Sequence, residues 1–378
     1  MTVGMGAWFI ASNWIYFWTK YMTYGQLGWV DALGFGFALF LEIPSGAIAD
    51  LFGKRKTIIF GMLAGVLGSS IITFSGSLQG IFIGWMINQF CYTFFSGAGE
   101  ALLYDTLVDL KEEFKYDKII TKAATLQSFT SVTVTIIGAF AYTYNFRLPH
   151  ILWTLGFLLS AVAAFFLVEP KIDTIKFSLK KYFSQLSMGF KELTHTSLKS
   201  LIAFFFILQG FEFMYSWGFI RPAIATSFGF YSNEQAIIYP IVTLLFAFLV
   251  RFVPYLKNKF SDIVGLFYLS LLMGIGFLLA VFPLGIWGVI PMILIPISGS
   301  MAGPWISIIV NKRIDSKHRA TTLSTVALLA RIPYVLAAIA AGRMIEGGVL
   351  WKFNLVVGVV VLIVGTLAFV NSFKKKGK

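Results

Sequence analysis

The sequence predicts an all-α membrane protein of twelve transmembrane helices in two pseudo-symmetric six-helix bundles. Three observations predict it: long apolar runs, scarce charge, and basic residues confined to alternate loops. Of 378 residues, 58% are hydrophobic and 12% charged, about half the charged share of a soluble domain. The mean hydropathy is +0.81. A run of about 20 apolar residues crosses the hydrocarbon layer as a helix. Backbone groups in lipid must be paired internally, so such runs are helical. The alternating pattern of a membrane barrel is absent.

Spans are expected near 2–22, 28–50, 56–74, 79–104, 121–144 and 149–168, then 200–222, 234–254, 262–282, 286–310, 320–342 and 350–371. The N-terminus reads as a first span, without the basic start and small-residue cleavage site of a removable signal. The stretch between spans six and seven divides the chain into a bundle at 1–170, a linker at 171–198 and a second bundle at 199–378. Duplicated halves of this kind mark many transporters. In the linker Leu179, Tyr182, Phe183, Leu186, Phe190 and Leu193 recur at helical spacing between lysines. That pattern predicts an amphipathic helix lying on the membrane surface.

The net charge of +13 sits in short loops, which speaks against nucleic acid as a partner and for orientation in a bilayer. Lys54, Arg55 and Lys56 open the series, followed by Lys111, Lys115, Lys118 and Lys122. The linker lysines, Lys257 and Lys259, the group Lys312 to Arg319, and the tail Lys374 to Lys378 continue it. In a twelve-span count all fall on one side, so both termini are expected in the cytoplasm. Cys91 is the single cysteine and the three histidines are scattered. No disulfide, metal site or cofactor is therefore expected.

Charge inside a span costs about 2.5–3.5 kcal/mol per residue at the bilayer centre on insertion scales, so it should face protein or a wet cavity. Spans three, six, nine and twelve are nearly free of charge. Span three carries Gly61, Gly65 and Gly68 along one face, a stripe that suits close helix packing. Charge gathers elsewhere: Asp31, Glu42 and Asp50 in span two, Glu100 and Asp105 in span four, Glu212 and Arg221 in span seven, Arg251 in span eight, and Arg331 and Arg343 in span eleven. Asn88, Tyr92, Ser96 and Glu100 share one helical face, as do Gln209, Glu212 and Ser216. Glu212 and Arg331 each lie about 11–12 residues into their spans, roughly 17 Å of rise and near the midplane. They are expected to bind a charged group of the solute or to pair with each other. The plainer reading is a permanent structural pair. Gln209, Asn88, Tyr92 and Glu100 complete the candidate set for solute or coupling ion. Lys20 and Asp31 are expected to pair near the outer ends of adjacent spans.

At the end of span two the chain reads Gly46-Ala-Ile-Ala-Asp50-Leu-Phe-Gly53-Lys54-Arg55-Lys56. This resembles the signature loop of the major facilitator superfamily, and the span count, central linker and two-half layout extend the resemblance over the whole chain. The resemblance implies a conformational latch in which Asp50 ties span two to the start of span eleven near Arg319, with Gly46, Gly53, Lys54 and Arg55 shaping the loop. Asp105 at the end of span four is expected to pair with Lys54 or Arg55. The arginine within span four of many drug exporters is missing, and so is their Gly-Pro pattern in span five. Drug export and proton antiport are therefore not implied.

The function expected from these readings is secondary transport of a small organic solute across the cytoplasmic membrane by rocker-switch alternating access. Proton coupling is one option, and the working unit is a monomer. An enzyme would need a nucleophile–base pair or a metal cluster, and the sequence displays neither. The rival is a receptor or scaffold that keeps a transporter fold without moving solute.

Overall fold

A computed structural model describes residues 7–170, 198–314 and 316–374, with scattered positions from 183 to 194. Those residues are helical or in turns and loops, with no strand among them. The helices are α1 (Trp14–Trp18), α2 (Tyr24–Phe52), α3 (Lys54–Phe74), α4 (Leu78–Asp109), α5 (Tyr116–Tyr144) and α6 (Leu148–Phe165). After the linker come α7 (Ile202–Trp217), α8 (Ile220–Ser227), α9 (Ser232–Leu249), α10 (Val253–Lys259), α11 (Asp262–Leu279), α12 (Val289–Arg313), α13 (Ser316–Glu346) and α14 (Leu350–Lys374). Most of the 171–198 linker, where the surface helix is expected, lies outside the described residues.

Among the described residues eight helices are long and apolar enough to cross a membrane, or nine if the bent pair α7 and α8 counts as one. Two departures from the expected spans have local causes. The first span, expected at 2–22, holds only the five-residue α1 among its described positions. Asn13 precedes that helix and donates its side-chain amide to the Phe9 carbonyl at 3.1 Å, the kind of local bond by which asparagine competes with helix propagation. The seventh span breaks after Trp217, where α8 turns 70° from α7. A methyl group at Gly218 would stand 2.0 Å from the Tyr334 hydroxyl, so only glycine lets the backbone pass there.

The chain divides into two compact units. Unit 1 comprises residues 1–23 and 33–182, and unit 2 comprises residues 24–32 and 183–378. The first nine residues of α2 thus cluster with unit 2 while the rest of that helix clusters with unit 1.

In unit 1, α3 packs along α4 and α6, and the glycine stripe read from the sequence is the surface it uses. A methyl at Gly61 would meet Phe94, one at Gly65 would meet Phe157 and Cys91, and one at Gly68 would stand 2.6 Å from the Gly84 carbonyl oxygen. Gly84 returns the contact, 2.7 Å from the Gly68 carbonyl oxygen. Small residues at both positions let the backbones meet, which is how helices gain packing energy in a lipid solvent. Gly68→Ala should force α3 and α4 apart and lower stability by about 1–2 kcal/mol. Thermal unfolding of the purified protein checks this, and an unchanged midpoint would contradict the packing described.

In unit 2, α11 packs against α12 and α14, and α7 packs against α12 and α13. Gly265 receives the ring of Trp305, and Gly274 and Gly358 place α11 and α14 backbone to backbone. Large apolar side chains such as Phe40, Phe129, Phe140, Leu159, Ile237 and Ile363 are exposed, an outer surface suited to acyl chains rather than water.

Candidate functional site

The loop between α2 and α3 is clasped by its neighbours in unit 1. Gly53 takes a φ of +94°, a left-handed conformation that glycine adopts without steric cost. A methyl there would also stand 2.9 Å from a Glu169 carboxylate oxygen. The Glu169 carboxylate accepts the backbone N–H groups of Lys54 and Arg55, each at 2.7 Å. These are free donors at the start of α3, and an anion there is favoured by the helix dipole as well. Lys54 is 7% exposed, and its ammonium pairs with Asp105 at the end of α4. Arg55 turns the other way and donates to the Phe165 carbonyl at 3.0 Å. Of the two cations expected to meet Asp105, the structure therefore selects Lys54. Glu169 is the first acidic residue after the sixth apolar run, and no local pattern in the sequence marks it for this role. Gly46 and Asp50 lie within α2, but the side chains of Asp50 and Arg319 are outside the described ones, and so is the latch expected between them.

In unit 2, α7 turns its polar face toward α12. Gln209 donates to the Gly299 carbonyl at 3.2 Å. A methyl at Gly299 would stand 2.0 Å from Glu212 Cγ, and Gly303 borders Gln209. The two glycines make room for the glutamine and the glutamate. The Glu212 carboxyl lies beside the Ser216 hydroxyl and in the field of Arg221. Four ion pairs occur among the described residues: Lys54–Asp105, Lys115–Glu112, Lys257–Asp262 and Arg313–Asp262. Glu212–Arg331 is not one of them. The cation that acts on Glu212 belongs to its own broken span.

Arg221 lies beyond the bend, at the start of α8, with its guanidinium carbon 3.4 Å from the centre of the Tyr239 ring. Tyr239 donates its hydroxyl to Gln235 at 2.7 Å. Gln235, fully buried, donates in turn to the Phe230 carbonyl at 2.8 Å.

The expected pairing of Lys20 with Asp31 does not form. Asp31 is 2% exposed and accepts the hydroxyl of Tyr334, itself fully buried. Lys20 instead sits over the Phe146 ring at 4.9 Å. Around Asp31 the first turns of α2 lie directly on α13. A methyl at Gly28 would stand 2.5 Å from the Ala338 carbonyl oxygen, and one at Gly342 would stand 2.2 Å from that of Tyr24. The Gly25 N–H donates to Glu346 at 2.8 Å.

The N-terminal candidates separate. Asn88 is fully buried and donates to the Gly65 carbonyl at 3.4 Å, which places it in the α3–α4 contact. Tyr92 lies among Trp8 and Phe157. Glu100, two turns further along α4 and on the same helical face, is exposed. Arg331 is half-buried on α13, two residues from Pro333, which packs on Gly210 of α7.

Comparison with known proteins agrees with this architecture. The Major Facilitator Superfamily profile matches residues 1–338. An uncharacterized transporter of Buchnera aphidicola subsp. Schizaphis graminum (strain Sg) is 28% identical over 207 residues, covering 50% of this chain and 51% of that protein. The chain thus matches about half the length of that curated relative. The crystal structure of the nucleoside transporter NupG superposes with a TM-score of 0.77 at 16% identity, covering 99% of this chain and 96% of NupG. A D-xylose-proton symporter superposes with a TM-score of 0.70 at 12% identity, covering 97% and 94% of the two chains. These structural likenesses establish a shared fold. With its apolar helices and a family profile that spans most of its length, the chain is a multi-pass membrane protein that belongs to the major facilitator superfamily.

Proposed function

We propose that this protein is a secondary transporter that moves a small organic solute across the cell membrane by alternating access. In this reading twelve spans form two six-helix bundles, 1–170 and 199–378, joined by the 171–198 linker, with both termini in the cytoplasm. The basic loops support that orientation, and the superfamily membership supports the mechanism. Relatives in fold include a nucleoside transporter and a sugar–proton symporter, which favours a small organic solute.

One observation carries the proposal. Glu212 and Arg221 lie within a helical bundle built almost wholly of apolar residues. Charge at bilayer depth is costly and is retained where it serves a passage or a coupling step. Gln209 and Arg331 belong to the same set of solute or ion contacts in unit 2, and Asn88, Tyr92 and Glu100 to the set in unit 1. Gly46, Asp50, Gly53, Lys54, Arg55, Asp105 and Arg319 form the conformational latch.

The test is solute flux in liposomes reconstituted with the purified protein. Solute moving down a gradient only in protein-containing vesicles supports the proposal. Binding without flux would favour the receptor reading. If Glu212 carries the coupling proton, Glu212→Gln should remove the dependence of uptake on an imposed pH gradient and leave downhill counterflow in place. Full gradient-driven uptake by that variant would exclude Glu212 from coupling.

A further inference from the structure

We propose that Arg221, stacked on Tyr239, is an oxyanion-binding site that takes a carboxylate or phosphate group. The argument begins with the backbone. Gly218 permits the 70° turn that ends α7 and starts α8. That turn brings Arg221, the second residue of α8, over α9 instead of continuing along α7. Tyr239 lies seven residues past the start of α9, a rise of roughly 10 Å from the helix end.

The cation is placed with care. Its carbon lies 3.4 Å from the tyrosine ring centre, so one face of the guanidinium is spent on the ring. The ring is fixed by its own hydroxyl, which donates to the fully buried Gln235. Gln235 is fixed by the Phe230 carbonyl. Stacking occupies the π face and one N–H lies beside the Tyr239 hydroxyl, and the rest of the in-plane N–H edge is the fork that matches a carboxylate or phosphate in two parallel hydrogen bonds. Arg221 is half-buried while Tyr215, Tyr239 and Gln235 around it are buried.

The charge is not neutralised by an ion pair. None of the ion pairs among the described residues includes Arg221, and the carboxyl that feels its field is Glu212, on the far side of the bend. A half-buried guanidinium, oriented by a three-member relay and lacking a carboxylate within ion-pair distance, is a preformed receptor for an external anion. Aromatic stacking lowers the cost of holding the cation, and the Tyr239 hydroxyl can take up at most part of its five donors. Two occupants share this chemistry: an anionic solute and the phosphodiester of a lipid headgroup. The role in a transport cycle rests on the transporter reading. Binding of the oxyanion does not, and it is measured separately.

The experiment uses the full chain purified in a non-ionic detergent. The thermal unfolding midpoint is followed while inorganic phosphate or succinate replaces chloride at constant ionic strength, with ribose as the neutral control. The expected result is a saturable rise with the oxyanions and none with ribose, since a ligand of the folded state stabilises by mass action. Arg221→Gln should weaken the apparent affinity by about tenfold or more. Arg221→Lys, which keeps the charge and loses the planar fork, should fall between. Tyr239→Phe keeps the ring but frees it from Gln235 and should weaken binding in part, whereas Tyr239→Leu should resemble Arg221→Gln. A second arm places the protein in phosphatidylcholine vesicles with and without phosphatidylglycerol. An Arg221-dependent rise only with phosphatidylglycerol assigns the site to a lipid headgroup, and a rise with soluble oxyanions assigns it to a solute. No oxyanion-dependent rise in either arm, or the same rise in Arg221→Gln, overturns the proposal. Arg221-dependent binding without any solute flux would leave the site standing and remove the transporter reading. Flux of neutral solutes that Arg221→Gln leaves intact, with no oxyanion binding, would do the reverse.

Discussion

Asp105→Ala strips the Lys54 ammonium of its carboxylate and should lower the unfolding free energy of the protein by about 3–5 kcal/mol, the scale for breaking a buried pair from one side. Both partners are largely enclosed, with side-chain exposures of 9% for Lys54 and 17% for Asp105. Lys54 has little freedom to move its charge away. Its backbone N–H is bound to Glu169, and Gly53 before it holds the left-handed turn. The control is Lys54→Met with Asp105→Leu, which removes both charges and should recover most of the loss, because a matched apolar pair often equals a buried ion pair in stability. Equal destabilisation by the single and the double variant would show that packing, rather than the uncompensated cation, sets the cost. Glu169→Gln should act on the same loop more weakly, since the amide still accepts a hydrogen bond but brings no charge to the helix start.

Tyr334→Phe should release the first turns of α2 from α13. The substitution removes the hydroxyl that donates to a carboxyl that is 2% exposed, and a buried group left without its hydrogen bond costs about 2–3 kcal/mol when it can carry charge. The neighbouring contacts depend on that bond for their register. Gly28 and Gly342 allow backbone to touch backbone, and the Gly25 bond to Glu346 closes the far end. Each needs α2 in one rotation about its axis. Hydrogen exchange reads the outcome: the amides of residues 24–32 should lose protection by about 30- to 100-fold, with every 1.4 kcal/mol worth a factor of ten. Asp31→Leu combined with Tyr334→Phe should restore much of it, because no polar atom is then stranded. Unaltered exchange in Tyr334→Phe would mean that the glycine contacts alone hold the segment.

How much of this was legible in advance follows from the range of each interaction. The helical class, most helix positions and the glycine stripe of α3 are written locally. Hydropathy and small-residue spacing add up over about 20 neighbouring residues and do not depend on what lies across the bundle. The signature loop could be read for the same reason, since Gly53, Lys54 and Arg55 are adjacent. Partner choice was not legible in this way. Asp31 met Tyr334 instead of Lys20, the Glu212 carboxyl came under Arg221 instead of Arg331, and the N-terminus of α3 was capped by Glu169 from a distant turn. Each successive helical residue turns about 100°, so a small change in rotation or a break such as that at Gly218 moves a side chain to another neighbour. The sequence by itself therefore determined that this chain is a helical membrane protein with charge at depth. Only the tertiary structure decided which charges meet, because pairing is set by how helices rotate and cross, and no local pattern along the chain encodes that.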